Sequence, residues 1–182
     1  MLSDPIPDAV LDAACVDARA YLRIVGDDEE MMMKQAAGAA IGLFEQFASA
    51  ALVLRGHRQR LPVSSRWQRL VPGPVVEIEQ VEGVPAEGGG FALPVADYAI
   101  DLDAAGDGWV RVVRPGAAGR IEVAFKAGQA SAWRDIPEPV RQGIVLMIAY
   151  LHRDRGEGDV PPAAVSALWR PWRRMRIGGG GR

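Results

Sequence analysis

The sequence predicts an α+β fold: a four-helix core built from two N-terminal and two C-terminal helices, a central β-rich insertion, and an extended C-terminal arm. Three observations carry that reading. Apolar residues recur at helical spacing up to about residue 54 and again from about residue 133. Between those limits the chain breaks into short β-leaning runs punctuated by Pro and Gly. The length, 182 residues, is that of one domain burying about 70% of its extended-chain surface. The expected organisation is one domain over 1–177, with helical core 1–54 and 133–177 and insertion 55–128, followed by a flexible glycine tail at 178–182.

The stretch "SDPIPDAVLDAACVDARAYLRI" opens with turn formers and an Asp able to cap. It then spaces Val10, Ala14, Ala18 and Tyr21 or Leu22 down one side, with Asp12, Asp17, Arg19 and Arg23 elsewhere, which makes a first amphipathic helix. "GDDEE" offers Asp27 as a cap with Glu30 three residues on, close to a capping box. Met33, Ala37, Ile41, Phe44 and Ala48 then carry a long second helix, expected over about 28–54. Gly38 and Gly42, four apart on it, predict close approach by another helix.

Five runs read as strands of a small, mostly antiparallel sheet: "HRQRLPV", "VVEIEQV", "YAIDLD", "GWVRVVRP" and "GRIEVAFKAG". In "VVEIEQV", Val76, Ile78 and Gln80 alternate with Glu77, Glu79 and Val81, the pattern of a half-buried strand. "PAEGGG" is a loop tip. "DIPEPVRQGIVLMIAYLHRDR" restores the helical period behind Pro137 and Pro139; because Ile144 to Leu151 is apolar nearly all round, this helix is expected at the centre. "GEGD" breaks it, and "PPAAVSALW" begins a shorter fourth helix.

Composition excludes several classes. The formal net charge is −2, which gives no global pull toward nucleic acid or membrane. The average hides an asymmetry: residues 1–50 hold nine acids against three bases, and residues 133–182 hold nine arginines against five acids. Ends of opposite sign suit head-to-tail contact between copies, which needs two different complementary patches. Cys15, the only cysteine, rules out an internal disulfide and reads as a small core residue. The first residues carry acids and prolines in place of a basic, apolar leader, and no apolar run approaches 18 residues, so an intracellular chain with no membrane span is expected.

Catalytic chemistry is hard to assemble from these residues, and no enzyme, cofactor or metal site is expected. His57 and His152 belong to no catalytic spacing. "DLDAAGDG" begins like a calcium loop, but Ala105 stands where an oxygen ligand belongs and Val112 where the bidentate Glu should be, so it reads as a turn between strands. The glycines at 88–90 lack the strand-then-helix setting of a phosphate cradle, and Ser64 and Ser65 lack that of a nucleophile elbow.

Two cationic segments remain. Arg55, Arg58, Arg60, Arg66 and Arg69, joined by Trp67, form a mixture suited to following a phosphate backbone in a DNA channel, or to contacting a protein partner. The plainer alternative puts Arg58 and Arg60 on the wet face of a strand while Trp67 packs, and the negative overall charge favours it. The second segment, "LWRPWRRMR", threads Trp169 and Trp172 through arginines with no acid among them.

The order of these pieces resembles the head-tail connector, or adaptor, proteins of long-tailed phages and gene transfer agents. The parts that carry the resemblance are "ARAYLRI" followed by "DDEE", "FKAG" closing a strand, "IPEPVRQGIVLMIAYLHRDR", and "VPPAAVSALWRPWR". The chain departs from that pattern in "LWRPWRRMR", where one aromatic and one Arg are usual, and in the long loop around Gly88. The resemblance implies a structural virion component assembled in the host cytoplasm and located at the virion neck. It implies a homo-oligomeric ring of twelve copies, docked on the portal protein, joined to a stopper or other neck protein, with double-stranded DNA passing through the channel without sequence-specific binding.

On that footing the cationic end is a portal-binding arm. Trp169, Trp172 and Met175 are expected as apolar anchors, since an aromatic side chain supplies large contact area at small entropic cost. Arg170, Arg173, Arg174 and Arg176 are expected to fix register against acidic partner surfaces. Pro171 interrupts the helix between the two tryptophans. The plainer alternative for Leu168 and Trp169 is that they close the chain's own core. The competing class is a nucleic-acid-binding regulatory or packaging protein using "RGHRQR" and "WRRMR", whose DNA affinity would fall steeply with salt.

Overall fold

The computed structural model describes residues 1–25, 29–153 and 163–173. Helices and antiparallel sheets make an α+β chain that divides into two compact units, one helical (Ile6–Val53 with the chain from Ala130) and one of sheets (Met1–Pro5 with Leu54–Gln129). Asp27, the "GEGD" break, Arg174, Met175, Arg176 and the glycine tail lie outside the described residues.

In the helical unit, α1 (Asp8–Leu22) starts behind Pro7, with Asp8 in its first turn, where a carboxylate complements the helix dipole. It stops where Arg23 turns left-handed (φ 57) and its N–H, with that of Ile24, returns to the carbonyls of Ala20 and Arg19. Val10, Ala14 and Ala18 are buried as their spacing requires, together with Cys15. Tyr21 is exposed and Leu22 packs part-buried on the core.

Helix α2 (Glu30–Ala48) is shorter than the 28–54 expected from its pattern. Ser49 takes a left-handed conformation (φ 54), and the Glu45 carboxylate accepts the amides of Leu52 (2.8 Å) and Val53 (3.4 Å). That side-chain acceptor holds Ala50 to Val53 in a buried, non-helical return that apolar periodicity cannot distinguish from more helix. Among the described residues nothing stands within 4 Å of where a Cβ would stand on Gly38 or Gly42, so the close approach expected there is not made by any described helix.

Helix α3 (Glu138–Arg153) is the central one, packing against α1, α2 and α4 (Ala163–Trp169), with Val140, Ile144, Met147 and Ile148 buried. A 3-10 turn at Trp133–Asp135 precedes it, buries Trp133 and aims the indole N–H at Asp17 of α1 (2.7 Å). His152 near the end of α3 meets Glu29 at 2.7 Å. All four helices contribute to one apolar cluster.

The sheet unit holds β1 (Leu2–Ser3), β2 (Arg55–Pro62), β3 (Gln68–Arg69), β4 (Val75–Val84), β5 (Phe91–Ala92), β6 (Tyr98–Leu102), β7 (Gly108–Val112) and β8 (Arg120–Ala127). They form antiparallel sheets of order β1-β2-β8-β4-β5 and β3-β7-β6. The five expected strands all appear; the two-residue strands β1, β3 and β5 are too short to carry a period. Residues 1–5 thus belong to this unit, outside the expected helical core: Ser3 pairs opposite His57 and its hydroxyl meets the buried imidazole Nδ1 at 2.8 Å. His57 also stacks on Phe125, which makes it a structural histidine.

Strand β4 corrects the simple alternation. Register shifts after Val75 and after Ile78 insert two bulges against β8. Val75, Ile78 and Val81 consequently pair with Ala127, Phe125 and Val123, the buried residues of β8, while Val76 is left exposed. A single inserted residue moves a strand's next side chains to the other face, so period-two counting fails there.

Candidate functional site

The cationic end begins inside the core. Trp169 closes α4 at 1% exposure, edge-on to Phe44 (centroids 5.3 Å, 84°) and tilted against Phe47 at 6.0 Å. Its indole lies directly on Gly143 of α3: a Cβ there would stand 2.8 Å from Cδ1, too close for any side chain. The indole N–H finds no acceptor among the described residues, so apolar packing holds the ring in place. Trp169 is therefore corrected from partner anchor to core residue. The sequence signal for this was Gly143 in the midst of an apolar helix, a position where a bulky neighbour needs the missing side chain.

Past Trp169 the chain tightens into a 3-10 turn at Arg170–Trp172, with Pro171 in a position that needs no N–H. Arg170 and Pro171 are exposed. Trp172 is half-buried against the same core, and the Arg173 guanidinium lies 5.9 Å from the Phe47 ring centre. Arg173 is the first residue in extended conformation (φ −68, ψ 112), so the expected arm starts no earlier than this point. Arg170, Pro171, Trp172 and Arg173 are the described residues of the segment that face outward in whole or in part.

The second arginine set is not brought together. Arg58 and Arg60 share one face of β2, and by alternation Arg55 lies on the other with buried His57. Arg69 sits in the other sheet and pairs with Asp107 at 3.2 Å, while Arg66 lies in the loop before it. Around Arg58 and Arg60 the wet face carries Glu122, which meets Arg60 at 2.6 Å, and Glu82 beside Arg58. On the same sheet Lys126 bridges Glu77 and Glu79, both at 3.0 Å, and these hydrogen bonds, first to Glu79 and then to Glu77, raise its pKa. A face that alternates sign in this way makes no phosphate track. The wet-face reading of Arg58 and Arg60 is the one the geometry supports.

The turn "DLDAAGDG" is built around Asp103, whose Oδ1 accepts the amides of Ala105 and Asp107 and whose Oδ2 accepts the Trp109 indole N–H, each at 2.9 Å. It closes the β6–β7 hairpin, as expected. Among the described residues no group of three or more His, Cys, Asp or Glu is gathered to hold a metal ion, and no helix is long and apolar enough to cross a membrane.

No protein-family model matches the sequence, and no curated protein is significantly similar to it. Solved structures are. The chain aligns with one in the neck of an empty gene transfer agent particle, computed with C6 symmetry, at TM-score 0.77 and 25% identity. It aligns with chains in the neck of the native particle, computed with C12 symmetry, and in the native virion, each at TM-score 0.73 and 25% identity. Every one of these alignments covers 99% of both chains. This chain has the fold of a gene transfer agent neck protein, of the head-tail connector type that its sequence resembles.

Proposed function

We propose that this chain is a structural adaptor of a virion neck, working as a ring of identical copies between the DNA-filled head and the tail. The observation that carries the reading is an alignment that leaves almost nothing over on either side: 99% of both chains, with neck structures of C6 and C12 symmetry. A ring of twelve copies fits that symmetry. The charge asymmetry of the ends fits the heterologous contact a ring requires. The role is assembly without turnover; the partners are the portal protein and the next neck protein, and double-stranded DNA passes through the channel.

The portal contact falls to Arg170, Pro171, Trp172 and Arg173 together with Arg174, Met175 and Arg176. Trp169 serves instead as the fixed point behind Arg170–Arg173, because its burial anchors α4 to α3. A half-buried Trp172 beside exposed arginines supplies an apolar contact with a cationic rim, the composition that gives affinity at the centre and steering at the edge.

Removing residues 173–182 tests this directly. The truncated protein is expected to fold, with unchanged helix content, and to yield filled heads without tails under electron microscopy. Tailed particles from the truncated chain would overturn the docking role of Arg173, Arg174, Met175 and Arg176, and tailed particles from Trp172→Ala would overturn that of the apolar contact. Density for this chain elsewhere than the neck would overturn the adaptor role itself.

A further inference from the structure

We propose that a cavity on the three-stranded sheet is a receptor for an arginine side chain from an adjoining copy of this chain. The cavity, of about 180 Å³, is lined by Trp67, Asp101, Asp103 and Trp109. Register explains the gathering. Asp101 of β6 and Arg69 of β3 both stand opposite Trp109 of β7, so these side chains share one face, while Val110 and Val112 are buried on the other.

Two indoles and two carboxylates at one cavity are the chemistry that recognises an organic cation: ring faces attract it through their quadrupoles and a carboxylate pairs with its N–H donors. The protein already uses this chemistry beside the cavity, where the Arg111 guanidinium lies 4.7 Å over the Trp67 ring. Of the two carboxylates, Asp103 is committed to its turn and to the Trp109 N–H. Asp101 is exposed and has no hydrogen-bond or ion-pair partner among the described residues. It is the carboxylate left for a ligand. Arg69 is held by Asp107 and does not reach Asp101 as a partner.

The occupant follows from the chain's own chemistry. Nineteen of its twenty-one basic residues are arginines, and a planar guanidinium both stacks on indoles and pairs with carboxylates in a way an ammonium does not. Choosing a second copy as the source rests on the ring proposed above, where every copy presents its neighbour with a surface different from the one it receives.

Arginine amide, titrated against the full chain while tryptophan emission is followed, is the probe. A saturable change is expected, absent with citrulline amide, which keeps the α-ammonium group but has an uncharged side chain. Asp101→Asn, an exposed substitution that leaves the hairpin intact, is expected to weaken binding about tenfold or more, the order of one hydrogen bond to a charged group. Trp109→Phe keeps an aromatic face and is expected to weaken binding less than Trp109→Leu. No saturation, or equal affinity in Asp101→Asn, overturns the site, whether or not the chain is a neck protein. Native mass spectrometry of assembled rings tests the source: Asp101→Arg is expected to reduce ring formation, and rings of undiminished yield overturn the second copy as occupant. Absence of the chain from particle necks is a separate result, which fails the proposed function and leaves the arginine titration standing.

Discussion

The helical unit and the sheet unit solve the problem of being stable in opposite ways, and the contrast shows where each can carry function. The helical unit concentrates its largest buried side chains, Trp169, Phe44 and Met33 among them, in one apolar cluster shared by four helices. Part-buried polar contacts such as Trp133 to Asp17 pin one element to another. The sheet unit buries one face of each sheet and leaves the other covered by charges and indoles: Arg58, Arg60, Glu122 and Lys126 on one, Trp67, Asp101 and Trp109 on the other. A packed core resists substitution everywhere, whereas a wet face tolerates it except where a partner sits. Recognition is therefore expected on the sheet faces and at the outward end of α4.

The sharpest way to break this contrast is at Trp169. Trp169→Ala is expected to cost about 3–5 kcal/mol, read from urea unfolding by helical circular dichroism. A loss below about 1 kcal/mol would mean that the indole is a surface group after all, and would return it to the set of partner anchors. Gly143→Ala approaches the same contact from the other side; its new methyl group meets the indole, and a loss of about 1–3 kcal/mol is expected from overpacking. Stability equal to the parent's would show that α4 can shift freely away from α3. Next in size is Asp17→Ala, which leaves the Trp133 N–H without its acceptor and is expected to cost about 1–2 kcal/mol.

On the sheet side the expected effects shrink. Arg60→Ala, at a side chain 65% exposed, is expected to change stability by less than about 0.5 kcal/mol, because an exposed ion pair is screened by solvent. A change several times larger would show that this face is structural. Cys15 offers a final check that needs no substitution. Burial pushes its thiol pKa up, so at pH 8 it is expected to react with a disulfide reagent only after urea is added.

Much of this was legible in the chain itself, and the failures are instructive. Val10, Ala14 and Ala18, or Val140, Ile144 and Ile148, declare a buried stripe because a regular helix repeats the same neighbours every turn. The end of α2 was not legible, since Glu45 reaching the amides of Leu52 and Val53 is a contact across a turn that periodicity never samples. The two bulges of β4 escaped for a related reason: they exist only relative to β8. In the outward segment, "RPWR" announced cations and aromatics, but not which indole faces in.

By itself the sequence determined the α+β order, the helical stripes, the five main strands and the cationic character of the C-terminal end, because each rests on residues near one another in the chain. Packing between distant residues was needed to settle that Gly143, and not Gly38 or Gly42, is the helix glycine a bulky side chain overlies, that Trp169 belongs to the core, and that Trp67, Asp101 and Trp109 line one cavity. Those outcomes depend on which distant surfaces meet, and shape complementarity between distant residues leaves no period in a one-dimensional string.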